Sequence, residues 1–225
     1  MTEPITYTSL VSTFADFLIA AIHTILYERQ IYPRTSFLSA RKYNFPVRQS
    51  RHPKVCTWIA DAVAAVEAEM LDCAVERVAV VIFSQQSQPL ERFMFDMSRF
   101  PVVGKEDITT PIENAVSIVN LEEQFRAVMS KLSVCGSSLK PLPEGCSFTV
   151  AIELKDEADA PIGHPQPWIP TQPSLQREIC QRDTVDTQVR RGKDLGGVRT
   201  TPLRAVDAGD VVFEMWIEEG QAKAT

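Results

Sequence analysis

No short spacing in this 225-residue sequence announces a chemistry. There is no GxxxxGKS/T loop: Gly104-Lys105 lacks both the earlier glycine and the following hydroxyl residue. GxGxxG is absent, and Gly196-Gly197 reads as a flexible loop. HExxH, paired Cys/His spacings and GxSxG are missing too, so neither a zinc site nor a serine elbow is expected. The five cysteines form an odd set without a CxxC pair, which reads as buried thiols in a reducing compartment rather than a disulfide framework. No window approaches about 18 consecutive apolar residues, the length of a membrane span. Met1-Thr2-Glu3-Pro4 is no basic n-region before an apolar core, so no secretory signal is read. Internal repeats and low-complexity runs are absent. Positive charge is also in deficit. With a net charge of −6 and a pI near 5.2, gripping duplex phosphates is disfavoured as a main activity. No cofactor, metal, membrane or direct nucleic-acid partner is therefore expected, and no enzymatic activity. Chain-local motifs leave open a site assembled from distant residues.

What is present is ordinary globular material, 44% hydrophobic and 23% charged. Leu10, Phe14, Phe17, Leu18, Ala21, Ile22 and Ile25 recur at helical spacing, predicting an amphipathic helix that ends before Pro33. His23, one position from that stripe, reads as a packed residue. Residues 34–50, basic and aromatic, read as a loop with a short extended piece. A second helix is expected from Pro53 to Leu71, with Val55, Ile59, Val63, Val66 and Met70 on one face and Trp58 beside them. Val75 to Phe83 is β-branched and almost continuously apolar, a strand buried on both faces. Leu90 to Met97 returns as its hairpin partner across a polar turn. Thr110-Pro111-Ile112-Glu113 carries the start signal of a third helix. Its expected stripe is Ile112, Val116, Val119, Phe125, Val128 and Leu132, with Arg126 just off it and the end near Gly136. Cys146 to Leu154 alternates, predicting a half-buried strand.

After Lys155 the pattern changes. Residues 156–200 carry five prolines between Pro161 and Pro173 and no sustained period, a length without regular structure that is unusual inside a compact domain. Thr201–Val206 and Asp210–Glu219 then flank a short turn, Asp207-Ala208-Gly209, predicting a terminal β-hairpin. In its last strand Val211, Phe213, Met215 and Ile217 point one way, while Val212, Glu214, Trp216 and Glu218 point the other. Trp216 reads either as a partly covered aromatic or as a binding anchor, and Trp168 poses the same choice. The sum is an α+β domain of three helices on a mostly antiparallel sheet.

These residues carry a resemblance. The run from Ala21 to Pro33 is similar to the first helix of HORMA domains. Arg41-Lys42-Tyr43-Asn44-Phe45-Pro46-Val47, His52-Pro53, Val78–Ile82, Phe93–Asp96, Phe125-Arg126-Ala127, Lys131–Cys135, Gly145–Val150 and Pro167-Trp168-Ile169 follow in the family's order. Within that family the chain resembles the accessory subunits of translesion DNA polymerase zeta, while the stretch 171–200 departs from the pattern. The resemblance implies one HORMA domain over 1–225: a core of about 10–155, a safety belt and terminal hairpin over 156–219, and a tail over 220–225. It further implies an adaptor in DNA damage tolerance, located in the nucleus. Such an adaptor captures a Pro-containing peptide of the polymerase catalytic subunit under the belt and docks a Rev-one-type deoxycytidyl transferase. A spindle-checkpoint HORMA adaptor is the alternative.

The same resemblance assigns residues. Tyr32, Trp58, Pro167, Trp168 and Ile169 are expected to hold the peptide, with Trp58 standing where relatives carry Tyr. Arg126, Lys131 and Ser137 are expected at a HORMA–HORMA homodimer or heterodimer contact. Thr200, Glu214 and Trp216 are expected to receive the scaffold polymerase. A AAA+ ATPase that remodels the closed state is a further implied partner.

Overall fold

The computed structural model describes residues 5–112, 117–155, 161, 168, 199–209, 211–220 and 223. Its centre is α1 (Tyr7–Glu28), opened by Thr6, whose hydroxyl accepts from the Ser9 amide while the Ser9 hydroxyl accepts from the Thr6 amide. Phe14, Phe17, Leu18, Ile22, Ile25 and Leu26 are fully buried. Phe17 stacks on Phe125 at 4.4 Å, and Phe14 meets Phe95 and Phe213 edge-on. Each such ring contributes on the order of 1.5–3 kcal/mol by leaving water. By length and composition α1 could cross a membrane, but its apolar stretch is 72% buried within the protein. It is a core helix.

Residues 34–50 differ from expectation. After a single 3-10 turn they form a complete hairpin, β1 (Phe37–Lys42) against β2 (Phe45–Ser50), closed by Tyr43 and Asn44 at φ +52° and +54°. Two left-handed residues in a two-residue turn match the right-handed twist of the strands. The alternation was hidden by basic residues on the outer face and by Pro46, which a two-stranded sheet tolerates because both strands are edges. The hairpin is tied to α1 where the Ser50 amide donates to His23 Nδ1 at 3.4 Å. His23 is buried, and burial lowers its pKa to about 4.

Helix α2 (Pro53–Leu71) has Pro at its first position and buries Ile59, Val63, Val66 and Met70 as the spacing predicts. Next come β3 (Val75–Phe83) and β4 (Pro89–Asp96), paired antiparallel. Helix α3 (Ile118–Leu132) is a second correction. Its cap is Ser117, whose hydroxyl accepts from the Asn120 amide, and not Thr110. Pro111 bridges to Thr6, and the Ile112 amide donates to Ile5 O at 2.8 Å, so tertiary backbone pairing claims the segment that local capping rules favour. Val119 is 65% exposed, and the stripe is Leu121, Phe125, Val128, Met129 and Leu132; Glu113 and Val116 lie outside the described residues. The helix stops at Leu132, followed by a 3-10 turn over Cys135–Ser137.

Strand β5 (Ser147–Leu154) pairs with β3, and the terminal hairpin β6 (Arg199–Ala208) and β7 (Val211–Glu219) pairs with β4 through β7. The antiparallel order is β5-β3-β4-β7-β6. Val78, Val80, Ile82, Phe93, Phe95, Phe213, Met215 and Ile217 pack in the main core, while Ala79, Val81 and Met94 form a small cluster on the other face with Trp216. The β6–β7 turn places Gly209 at φ +61°, a left-handed position suited to glycine. The four described cysteines are free thiols. Only Cys135 is buried, which pushes its pKa up to about 12; Cys56, Cys73 and Cys146 are half-buried and Cys180 lies outside the described residues. The expected unstructured stretch 156–200 lies outside them as well, save Pro161, Trp168, Arg199 and Thr200.

Candidate functional site

The outer strands of the five-stranded sheet are β5 and β6, each paired on one side only among the described residues, and they differ in what stands beside them. β5 is hydrogen-bonded to β3 on one side, and among the described residues no strand pairs with its other side. An unpaired edge displays a row of amide donors and carbonyl acceptors that another chain can complete. Aromatic side chains stand at the start of this edge. Trp58, from the first turns of α2, meets Phe148 edge-on at 4.9 Å, and Tyr32 meets the same ring at 6.4 Å and 89°. Trp58 is 42% exposed, a large apolar surface held open beside an open strand. Tyr32 reaches Phe148 because Gln30, at φ +54°, turns the chain out of α1.

Trp58 and Tyr32 are thus brought together through Phe148, which the sequence pattern assigned to the core face of a half-buried strand. Its signal was the register: Phe148 opens the edge strand, where one face meets the core and the rim stays uncovered. Trp168 stands elsewhere. It packs against the main core, its buried indole N–H near Glu69 at the end of α2 but without a close hydrogen bond. Burial and the neighbouring Asp72 raise the Glu69 pKa, and this N–H partly counters them. Trp58 and Glu69 are eleven residues apart on α2, about 16 Å along its axis, so Trp58 and Trp168 stand toward opposite ends of that helix. Pro167 and Ile169 lie outside the described residues.

The β4–β7 pair is fastened, on the rung that runs from Phe148 through Ile82 to Glu91 and Glu219. Arg29, at the end of α1, makes a two-pronged contact with Glu91 at 2.8 Å per bond and donates to Lys140 O at 2.7 Å. Lys223, beyond β7, bonds Glu219 at 2.7 Å and also contacts Glu91. All four charged side chains are buried. Burial opposes the ionisation of Glu219, but Lys223 and the Lys140 amide outweigh it and hold that carboxyl below its usual range. This cluster ties the end of the terminal hairpin to α1 and β4, and no local motif pointed to it.

Thr200, Glu214 and Trp216 share the outer face of the β6–β7 hairpin. Thr200 lies opposite Glu218 and Pro202 opposite Trp216. Trp216 is half-buried over Met94, and its Nε1 donates to Glu218 Oε1 at 2.7 Å. Glu218 is buried and paired with Arg92 at 2.6 Å, so of the two carboxylates that share this face with Trp216 only Glu214 is exposed. Arg126, Lys131 and Ser137 are all exposed. Arg126 and Lys131, five residues apart on α3, are separated by about 140° around the axis and do not form one patch. Lys131 lies in the last turn of α3 and Ser137 in the 3-10 turn that follows it. Among the described residues no three His, Cys, Asp or Glu converge as metal ligands.

The HORMA domain profile matches residues 11–200. The chain belongs to the HORMA domain family. It is 35% identical over 215 residues to the Danio rerio mitotic spindle assembly checkpoint protein MAD2B, covering 93% of this chain and 90% of the relative. It is 30% identical to the DNA polymerase zeta processivity subunit of Schizosaccharomyces pombe, covering 93% and 92%. Among solved structures, C. elegans HTP-2 bound to HTP-3 closure motif 1 has the same fold, with a TM-score of 0.60 at 11% identity and coverage of 97% of this chain and 88% of that one. The α+β HORMA architecture expected from the ordered motifs is the one observed.

Proposed function

We propose that this HORMA protein is a non-catalytic adaptor subunit of translesion DNA polymerase zeta. In this reading a proline-containing peptide of the catalytic subunit adds as a strand to β5, across Trp58, Phe148 and Tyr32, while the segment after Lys155 closes over it. The observation that carries the reading is the open β5 edge with an exposed Trp at its start. Backbone hydrogen bonds along the edge supply affinity, and proline stacks on aromatic faces while losing little entropy. Trp168, Pro167 and Ile169 act along the covering segment, with Trp168 anchoring it near the far end of α2.

A Rev-one-type deoxycytidyl transferase docks on the outer hairpin face at Trp216, Glu214 and Thr200. Holding two polymerases on one small protein raises the effective concentration of each near the other. Arg126, Lys131 and Ser137 serve contacts with a second HORMA domain, a AAA+ ATPase resets the closed state, and the protein works in the nucleus. The similarity to the S. pombe processivity subunit supports the polymerase assignment; the checkpoint name of the Danio rerio relative is what favours a spindle-checkpoint adaptor as the second reading.

The test is copurification of the tagged full chain followed by mass spectrometry. The catalytic subunit of polymerase zeta and the deoxycytidyl transferase are expected together, and Trp216→Ala should lose only the second. Recovery of spindle-checkpoint partners in their place would favour the second reading and reject the first.

A further inference from the structure

The charge of this protein is unevenly spread. Between Arg29 and Ala60 the chain has seven Lys and Arg and no Asp or Glu. That leaves 16 of the 23 basic residues against all 29 acidic ones elsewhere. Of the seven, Arg29 is consumed in the buried ion cluster and Lys42 pairs with Asp16 at 2.8 Å. Arg34, Arg41, Arg48, Arg51 and Lys54 make no ion pair with a carboxylate among the described residues. Arg34, Arg41, Arg51 and Lys54 are exposed, and Arg48 is half-buried.

Three of these line one face of the β1–β2 hairpin. Arg41 lies opposite Pro46 and Arg48 opposite Ser39, so the two arginines occupy neighbouring rungs of the same face. Such diagonal positions are about 7–8 Å apart. Arg48 donates to the Ser39 hydroxyl at 2.6 Å and lies over the Tyr27 ring, 4.7 Å from its centroid. Arg34 lies over the same ring at 5.1 Å. Tyr27 thus carries both guanidinium groups, and the row runs Arg41, Arg48, Arg34 from the turn toward the base. The carboxylate facing it is Glu28, whose pKa is raised by burial and opposed by Arg34, Arg48 and Arg29. One acid against this row leaves the face cationic.

We propose that this hairpin face is a docking strip for an extended, acidic protein segment with Asp or Glu at alternate positions. An extended segment repeats its same-side residues about every 6.6–6.8 Å, close to the spacing of the arginine rungs. Guanidinium groups take carboxylates in forked pairs, which adds geometry to charge. A nucleic-acid duplex fits less well. It carries one charge per about 1.7 Å and continues past the strip, over a surface on which acids outnumber bases, within a screening length of about 8 Å. A short peptide keeps its charge where the arginines are.

The test uses the full chain and a fluorescent peptide of alternating Glu and Ser, followed by anisotropy at low and physiological salt. Wild type should bind at low salt and lose affinity steeply as salt rises. Arg34→Glu with Arg41→Glu should weaken binding at least about tenfold, while Lys105→Glu, a reversal elsewhere on the surface, should change it little. Both replaced arginines are exposed, and unchanged thermal unfolding verifies the fold. Capture of the polymerase peptide at the β5 edge should survive in the double variant, which separates this strip from the adaptor reading. No binding by wild type at low salt, an equal loss in Lys105→Glu, or tighter binding of an oligothymidylate of equal charge overturns the proposal.

Discussion

The β5 edge and the β4–β7 seam belong to one sheet yet are finished in opposite ways. At the β7 side, six consecutive rungs pair β7 with β4, from Glu91↔Glu219 to Asp96↔Glu214, and the end is pinned by Arg29, Glu91, Glu219 and Lys223. At the β5 side the backbone is open among the described residues, and an indole stands exposed beside it. Buried charges are costly unless every partner is present, whereas exposed aromatics cost little and wait for a partner. The difference separates a side built to hold from a side built to receive. Substitutions at the first should therefore appear as lost stability, and substitutions at the second as lost binding.

The largest effect is expected where the holding side is broken. Glu91→Ala leaves Arg29 buried without its carboxylate and Lys223 with Glu219 alone. Removing one member of a buried ionic group costs about 3–5 kcal/mol, so the urea midpoint should fall sharply and the β7 amides should exchange faster with deuterium. An unchanged midpoint would mean that the cluster does not fasten the hairpin.

Next comes His23, which lies in the body between the two sides and serves to separate them from the rest. Its pKa of about 4 is below the 6.5 of an unperturbed histidine because burial disfavours the charged ring. Between pH 6.5 and 4 the unfolded chain takes up a proton that the folded chain refuses. Stability is therefore full above 6.5, declines as pH falls through that window by up to about 3 kcal/mol, and loses no more from this group below 4. Carboxylates titrate nearby, so the informative quantity is the difference between wild type and His23→Asn in urea unfolding at pH 7 and pH 5. Identical pH slopes would remove His23 from the account.

How much of this could be seen in the sequence follows from where each feature stores its information. β3 was legible because Val75 to Phe83 is β-branched and almost continuously apolar, and the terminal hairpin because Phe213, Met215 and Ile217 repeat at period two within a few residues. The β1–β2 hairpin was not, since its outward rungs are Ser39, Arg41 and Arg48 and its turn uses Tyr43 where glycine would have signalled a left-handed position. The α3 start was misplaced because Thr110-Pro111 satisfies every local rule, while the competing partner, Ile5 O, lies more than a hundred residues away. The same holds for the ion cluster, where Arg29, Glu91 and the Glu219–Lys223 pair come from three distant stretches of the chain. At the candidate site, Trp58 and Tyr32 came from the family resemblance, and Phe148 emerged only when register placed it between them.

On the receiving side, Trp58→Ala removes the exposed indole and one ring contact to Phe148. Loss of about 2 kcal/mol or more in peptide affinity is expected, as for aromatic residues at the centre of interfaces. Stability should change little, because Trp58 is partly in water already. Calorimetry with the proline-containing peptide and a parallel unfolding curve measure both. A stability loss without an affinity loss would reverse the comparison and make Trp58 a part of the core.

The smallest effect is expected at Arg126, which belongs to neither side. It is exposed on α3 and only loosely paired with Glu123 at 3.8 Å, so its removal leaves no buried charge behind and the free protein should be unaffected. If two copies meet across a two-fold axis, the same arginine enters the contact twice, and the deletion is felt at two symmetry-related places. Rim charges are each worth only a fraction of a kcal/mol, so the total is about 1 kcal/mol, or roughly a fivefold weaker dimer. Lys131 lies about 140° from Arg126 around α3, so Lys131→Ala should weaken association independently of Arg126→Ala and the two losses should add. Sedimentation velocity of the peptide-loaded chain across the dimerisation range tests this: Arg126→Ala should shift the midpoint upward, with peptide capture intact. Superimposable profiles for the mutant and wild type would show that Arg126 is a solvated residue on an idle face.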